Sequence, residues 1–154
     1  MQNSTTQNVL YCKELVKKLD YARYVQCAFA PRAQQAALYA FFALNCELKH
    51  VHHAVSEEMI GHIRFAWWQE SVEGLYASQP REHPVLQMLA ESGFTETELV
   101  NLVVAYREAY PEMPSTIPEP TCEGAVFTKY HKAGKLIANH RGNKLALIIK
   151  LMLV

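Results

Sequence analysis

From Val9 to Tyr110 the apolar residues recur at helical spacing nearly throughout. That property confines the chain to an all-α fold, because a chain without strand periodicity has only helix-on-helix packing to bury its apolar faces. Residues 9–19 read as a short amphipathic helix, and DYARYVQCAFA (Asp20–Ala30) as a second segment punctuated by Pro31. From Arg32 to about Val55 a third helix is predicted, its alanines at 36, 37, 40 and 43 favouring helix and close approach of neighbours. Ser56 followed by Glu57 and Glu58 is a helix-start signal, with acids where the N-terminal dipole favours them. In the helix that follows, Ile60, Phe65 and Trp67 cannot share one narrow stripe, which predicts a central, largely buried element. A shorter helix near Val85–Glu91 ends at Gly93, and Thr95 with Glu98 forms a capping-box pattern at the head of Thr95–Tyr110. PEMPSTIPEPTCEG (Pro111–Gly124) holds four prolines and cannot be a regular element. The expected organisation is a helical region over 1–110, a proline-rich linker over 111–124 and a basic tail over 125–154.

A chain of 154 residues is the size of one domain. Half of it is apolar and 19% is charged, which excludes a disordered class. Formal charges cancel, so the overall balance points to no nucleic-acid partner, but they are unevenly placed. All fifteen acids lie at or before Glu123 with nine basic residues, while 124–154 carries six basic residues and no acid. An anionic partner or a basic tail lying on an acidic body would each explain this. The four cysteines are far apart with no C-x-x-C pair, and the polar start Met1–Asn8 lacks the layout of a signal peptide. Reduced thiols and a cytoplasmic location, with or without peripheral contact to a membrane, are therefore expected. LALIIKLMLV (Leu145–Val154) is interrupted by Lys150 and too short to span a bilayer. Two explanations of the tail stay open: a basic, apolar terminus that touches a membrane surface, or a truncated or shifted reading frame.

NCELKHVHH (Asn45–His53) concentrates chemistry-bearing side chains. On a helix Leu44, Leu48, Val51 and Val55 share one stripe, the expected core face, which places Cys46, His50 and His53 on the opposite side. Their spacing would present three ligands to a zinc ion. Three ligands from one helix rarely close a tetrahedron, however, and the plainer alternative is a solvated face with scattered histidines. Asp20 is the only aspartate beside fourteen glutamates, so no paired-aspartate magnesium cluster can be built.

The run DYARYVQCAFAP…ALYAFFALNCEL…VSEEMIGHIRFAWWQESVEGLY, from about Asp20 to Tyr110, resembles the N-terminal part of the squalene/phytoene synthase family. In that family Tyr-Ala-Phe-Cys-Arg leads after two residues into Asp-Asp-x-x-Asp. Tyr39-Ala40-Phe41 sets the register, and the three aspartate places fall on Cys46, Glu47 and His50. The resemblance implies a partial, N-terminal half of an isoprenoid synthase helical bundle. It further implies head-to-head transfer between prenyl diphosphates, Mg2+ as cofactor, and Cys46, Glu47 and His50 as worn diphosphate–metal positions. Tyr39, Phe41, Arg64 and Trp68 would border the prenyl cavity, or else simply pack in a core. With one carboxylate left and no second acid motif, no turnover, no bound Mg2+ and no catalytic residue are expected. Asn-x-Glu-Leu followed by Val-Ser-Glu is most similar to a divergent branch that includes a respiratory complex I assembly factor, which makes a protein- or lipid-binding role the alternative. A half bundle would also expose apolar faces on Leu38–Val55 and Glu57–Ala77, so self-association is expected.

Overall fold

The computed structural model describes residues 2–120, in which six helices follow one another: α1 (Gln2–Leu19), α2 (Tyr21–Ala28), α3 (Arg32–Ala54), α4 (Glu58–Tyr76), α5 (Pro84–Ala90) and α6 (Glu96–Ala109). No strand occurs among the described residues, as the helical periodicity requires. The segment after α6 carries no helix up to Pro120, and the basic tail over 125–154 lies outside the described residues.

The centre of the fold is α3. It packs against all five other helices, and every residue from Leu38 to Cys46 is buried. The cause is visible in composition: no charged side chain stands between Arg32 and Glu47, so this helix can be enclosed on all sides without desolvating an ion. The expectation that α4 is central and largely buried is overturned. Its buried residues are Gly61, Phe65, Trp68, Ser71 and Val72, while Met59 is 75% exposed and Ile63 62%. The apolar residues that wrap around α4 are therefore divided between a core face and an open face. Of the two apolar faces expected to be exposed, the α3 face is covered and only that of α4 is open.

Local signals locate most helix ends. Asp20 caps α2, its side chain accepting from the Arg23 N–H at 3.3 Å. Thr95 and Glu98 form the reciprocal capping box of α6: the Thr95 hydroxyl accepts from the Glu98 N–H and the Glu98 carboxylate from the Thr95 N–H. Gly93 turns the chain with φ +78°, a conformation open to residues without Cβ. Helix α4 begins at Glu58 after Glu57 rather than Ser56 as N-cap, without a side-chain cap. Helix α1 begins seven residues before the predicted Val9, through a polar stretch that has no apolar period to read. Its anchor is tertiary, the Asn8 amide donating to Gln87 of α5 at 2.7 Å.

One polar contact crosses the core. Tyr106 of α6 is fully buried, and its hydroxyl donates to the Asn45 side-chain oxygen on α3 at 2.7 Å. Burial is the chief reason its phenol pKa lies above the ordinary value.

Candidate functional site

The three positions that the resemblance gives to an acid motif lie on the last three turns of α3, and the fold divides them between two surfaces. Glu47 turns toward α1, where the Tyr11 hydroxyl donates to its carboxylate at 3.2 Å. Around that pair, Tyr11 meets the His83 ring edge-on at 6.2 Å, and His83 meets Trp68 at 5.2 Å. Trp67 contacts Trp68 edge-on at 5.0 Å, and the Arg81 guanidinium lies 5.1 Å from the Trp67 ring centre. Burial, then the Glu47 charge, raises the Tyr11 pKa. The surviving carboxylate is thus held in an aromatic corner as a hydrogen-bond acceptor.

Cys46 and His50 belong to a different surface. With His53, Asn45, Lys49, Leu19 and Asp20 they line a cleft of about 160 Å3 between α3 and the α1–α2 junction. Cys46 is not on a solvated side, contrary to the wheel-based expectation. Only 3% of it is exposed, because that junction covers the flank that a single-stripe reading leaves open. Burial and the nearby Asp20 charge push its thiol up to about 12. His50 and His53 are exposed, as expected. A neighbouring cleft of about 90 Å3 shares Asp20, Asn45 and Lys49 and adds Phe41, Phe42 and Tyr106. Arg23 and Glu119 pair beside it. Both clefts are smaller than the several hundred Å3 that ordinary ligand pockets occupy.

The remaining candidates divide by burial. Tyr39 and Trp68 are core residues, 3% and 6% exposed, and the Tyr39 hydroxyl donates to the Tyr24 carbonyl at 3.3 Å. Phe41 is buried against Phe42 and Phe94 and reaches one small cleft. Arg64 is exposed on α4. Asp20 and Lys49, which complete the cleft, carry no signal in sequence beyond a helix start and a surface charge. His83 gives none except its place before Pro84.

These donors do not suit the metals the motif evokes. Magnesium takes about six oxygen ligands, whereas the three motif places offer one carboxylate already engaged by Tyr11, one buried thiol and one imidazole. Zinc is held by exposed or convergent thiolate and imidazole groups, whereas Cys46 is only 3% exposed and burial disfavours its ionisation. Among the described residues no group of three His, Cys, Asp or Glu side chains stands close enough to share one ion. Nor, among them, is any helix long and apolar enough to cross a membrane.

His52, overlooked in the motif because it falls between its two wetter neighbours, packs among Phe65, Tyr106 and Tyr110. Neither of its ring nitrogens has a hydrogen-bond partner among the described residues. Burial lowers its pKa, an effect the adjacent Pro111 backbone partly opposes. His83 is lowered by burial too, and its Nδ1 accepts from the Val85 N–H, which requires the unprotonated nitrogen. Both histidines therefore bind protons more weakly folded than unfolded. Their stabilising contribution is fully present above the unfolded histidine pKa of about 6.5 and is lost as pH falls through that value toward their folded ones. Urea midpoints measured against pH are expected to be level from about pH 8 to 7 and to decline below about 6.5. A midpoint that rises on acidification through this window would contradict the assignment.

A family model for squalene/phytoene synthase matches residues 16–100, just over half of the chain. The chain is similar to the Homo sapiens protein "NADH dehydrogenase (ubiquinone) complex I, assembly factor 6", 37% identical over 75 residues, covering 49% of this chain and 22% of that protein. The Mus musculus protein of the same name is 40% identical over 76 residues, 49% of this chain and 23% of its own. That of Rattus norvegicus is 38% identical over 80 residues, 52% and 24%. The matched part thus spans about a quarter or less of these relatives. No solved structure matches. With the matched region running from the end of α1 into α6, through all of the helix that carries the worn motif, the chain belongs to the squalene/phytoene synthase family.

Proposed function

We propose that this chain is a non-catalytic member of the family that acts through protein contacts in the assembly of respiratory complex I, the role the names of its relatives give. The observation that carries the reading is the dispersal of the motif: Glu47 is engaged by Tyr11, and Cys46 is buried on another flank. Head-to-head prenyl transfer needs Mg2+ held by clustered carboxylates over the leaving diphosphate, and these positions do not offer such a cluster. Mg2+ and prenyl diphosphate therefore belong to the ancestry of the site and not to its present work.

Two measurements test this. Purified chain incubated with Mg2+ and farnesyl diphosphate is expected to release no diphosphate and to show no change in melting temperature. A ligand at a hundred times its Kd would add about 2.7 kcal/mol of stability. Disrupting the gene in the organism that carries it is expected to lower assembled complex I, and re-expression of either the wild-type chain or Glu47→Gln should restore it. Diphosphate release, or failure of Glu47→Gln at normal protein level, would overturn the reading.

A further inference from the structure

The chain after α6 is fixed at two places and exposed between them. At the first, the Tyr110 ring packs against His52, His62 and Phe65, with centroids 5.1, 5.1 and 5.3 Å away. Gly61 makes room for it, since a Cβ there would overlap the Tyr110 ring. At the second, Glu119 pairs with the Arg23 guanidinium of α2, and Pro120 is buried. Between these anchors Glu112, Met113, Ser115, Thr116 and Ile117 are exposed. Prolines at 111, 114, 118 and 120 keep this strap from forming helix. Ile117, Pro118 and Glu119 carry neither helix nor turn, and they line the cleft of about 90 Å3 together with Phe41, Phe42, Asn45 and Tyr106.

The cation that meets Glu119 is held in place before the strap reaches it. The Arg23 guanidinium lies 4.9 Å from the Phe42 ring centre and donates to Gln26, itself 1% exposed, at 3.0 Å. The Arg23 side chain is only 21% exposed, so its pairing with a carboxylate is less screened than an open surface pair. We propose that Ile117-Pro118-Glu119 fills, from within the same chain, a docking groove for an extended, acid-bearing segment of a partner protein, with Arg23–Glu119 as the latch that keeps it shut.

The seated segment itself chooses the occupant. Its backbone is extended, its apolar and proline side chains share the cleft with Phe41 and Phe42, and its carboxylate meets the stacked guanidinium. Lys49 on the same cleft adds positive charge, while the Asp20 carboxylate is engaged as the cap of α2. The exposure of the strap between its anchors means that few buried apolar contacts are lost on release. A tethered segment acts at an effective concentration on the order of millimolar, so a competing segment enters where the latch is weakened. The inference does not rest on the assembly role: closure by the strap reads the same in a chain of any function, and the tests above read diphosphate release and complex I.

The test uses the full chain and a fluorescently labelled peptide of residues 111–120, PEMPSTIPEP, with anisotropy as the readout. Glu119→Arg sets like charges together and frees the groove. Residue 119 is exposed, so the variant should keep its helicity. The peptide is expected to bind Glu119→Arg at least about tenfold more tightly than wild type, the cost of competing with the tethered strap. Glu119→Gln, which removes the attraction without adding repulsion, should fall between the two and carries the comparison if Glu119→Arg loses helicity. A peptide with glutamine in place of Glu119, or Arg23→Gln added to the protein, should each remove most of the gain. Equal binding to wild type and variants, or none to any, would overturn the proposal, as would binding indifferent to the peptide's acid or to Arg23. A wild-type dimer that Glu119→Arg dissociates would overturn it too, because the groove then holds the strap of a second copy.

Discussion

Replacing Phe41 with alanine is expected to remove about 3–5 kcal/mol of folding stability, the usual cost of deleting a fully enclosed aromatic side chain. Phe41 is 1% exposed and stands at the middle of the central helix, its ring 5.6 Å from Phe42 and 5.2 Å from Phe94. Domains of this size have roughly 5–15 kcal/mol in all, so the loss is a large fraction of the total. The enclosure by α3's five neighbours leaves little room for collapse into the cavity, which places the cost toward the upper end. The family resemblance assigns this position to a prenyl tunnel, and the two roles separate cleanly. A tunnel residue would tolerate alanine in the absence of ligand and change the response to farnesyl diphosphate. A core residue lowers the urea midpoint without any ligand. A measured loss below about 1 kcal/mol would show that Phe41 is not a packing centre.

What the sequence discloses here depends on whether a signal is local. The capping box of Thr95 and Glu98 and the Asp20 cap lie within a turn of the groups they satisfy, so residue type and spacing suffice to find them. The start of α1 does not, because its polar first turns carry no period and Asn8 is anchored by Gln87, far along the chain. The exchange of roles between α3 and α4 has a different cause. A helical wheel assumes one covered face. Helix α3 is covered all round from Leu38 to Cys46, which is why Cys46 lies buried where a wet face is expected. In α4 the apolar circumference is divided between a face packed on α3, α5 and α6 and a face that is exposed. The absence of charge between Arg32 and Glu47 marks the enclosed helix better than the hydrophobicity of α4 does. In the candidate site, the register set by Tyr39-Ala40-Phe41 is enough to say which residues stand at the three places that the resemblance gives to acids. The capture of Glu47 by Tyr11, and the placing of Asp20 and Lys49 around one cleft, need the packing of α1 and α2 on α3 and have no signature along the chain.

Substituting Tyr106 by phenylalanine is expected to cost about 1–3 kcal/mol although only one oxygen is removed, because the effect falls on the partner. Asn45 is 7% exposed, and its side-chain oxygen accepts the Tyr106 hydroxyl at 2.7 Å across 61 residues of sequence. Without the phenol that oxygen keeps the cost of leaving water and loses the bond that offset it. The asymmetry gives the test its force. In Asn45→Leu/Tyr106→Phe neither polar group remains, the two side chains keep roughly their volumes, and the double variant should regain most of the loss of Tyr106→Phe. A double-mutant cycle in urea is therefore expected to give a coupling of about 1–3 kcal/mol between the two positions. Strict additivity would mean that water reaches Asn45 through the clefts it borders and already satisfies it. In that case the α3–α6 seam is held by apolar packing of Leu99, Leu102 and Val103 with no polar contribution. The coupled outcome makes the hydrogen bond a register device, since sliding α6 by one turn along α3 would bury both groups unpaired.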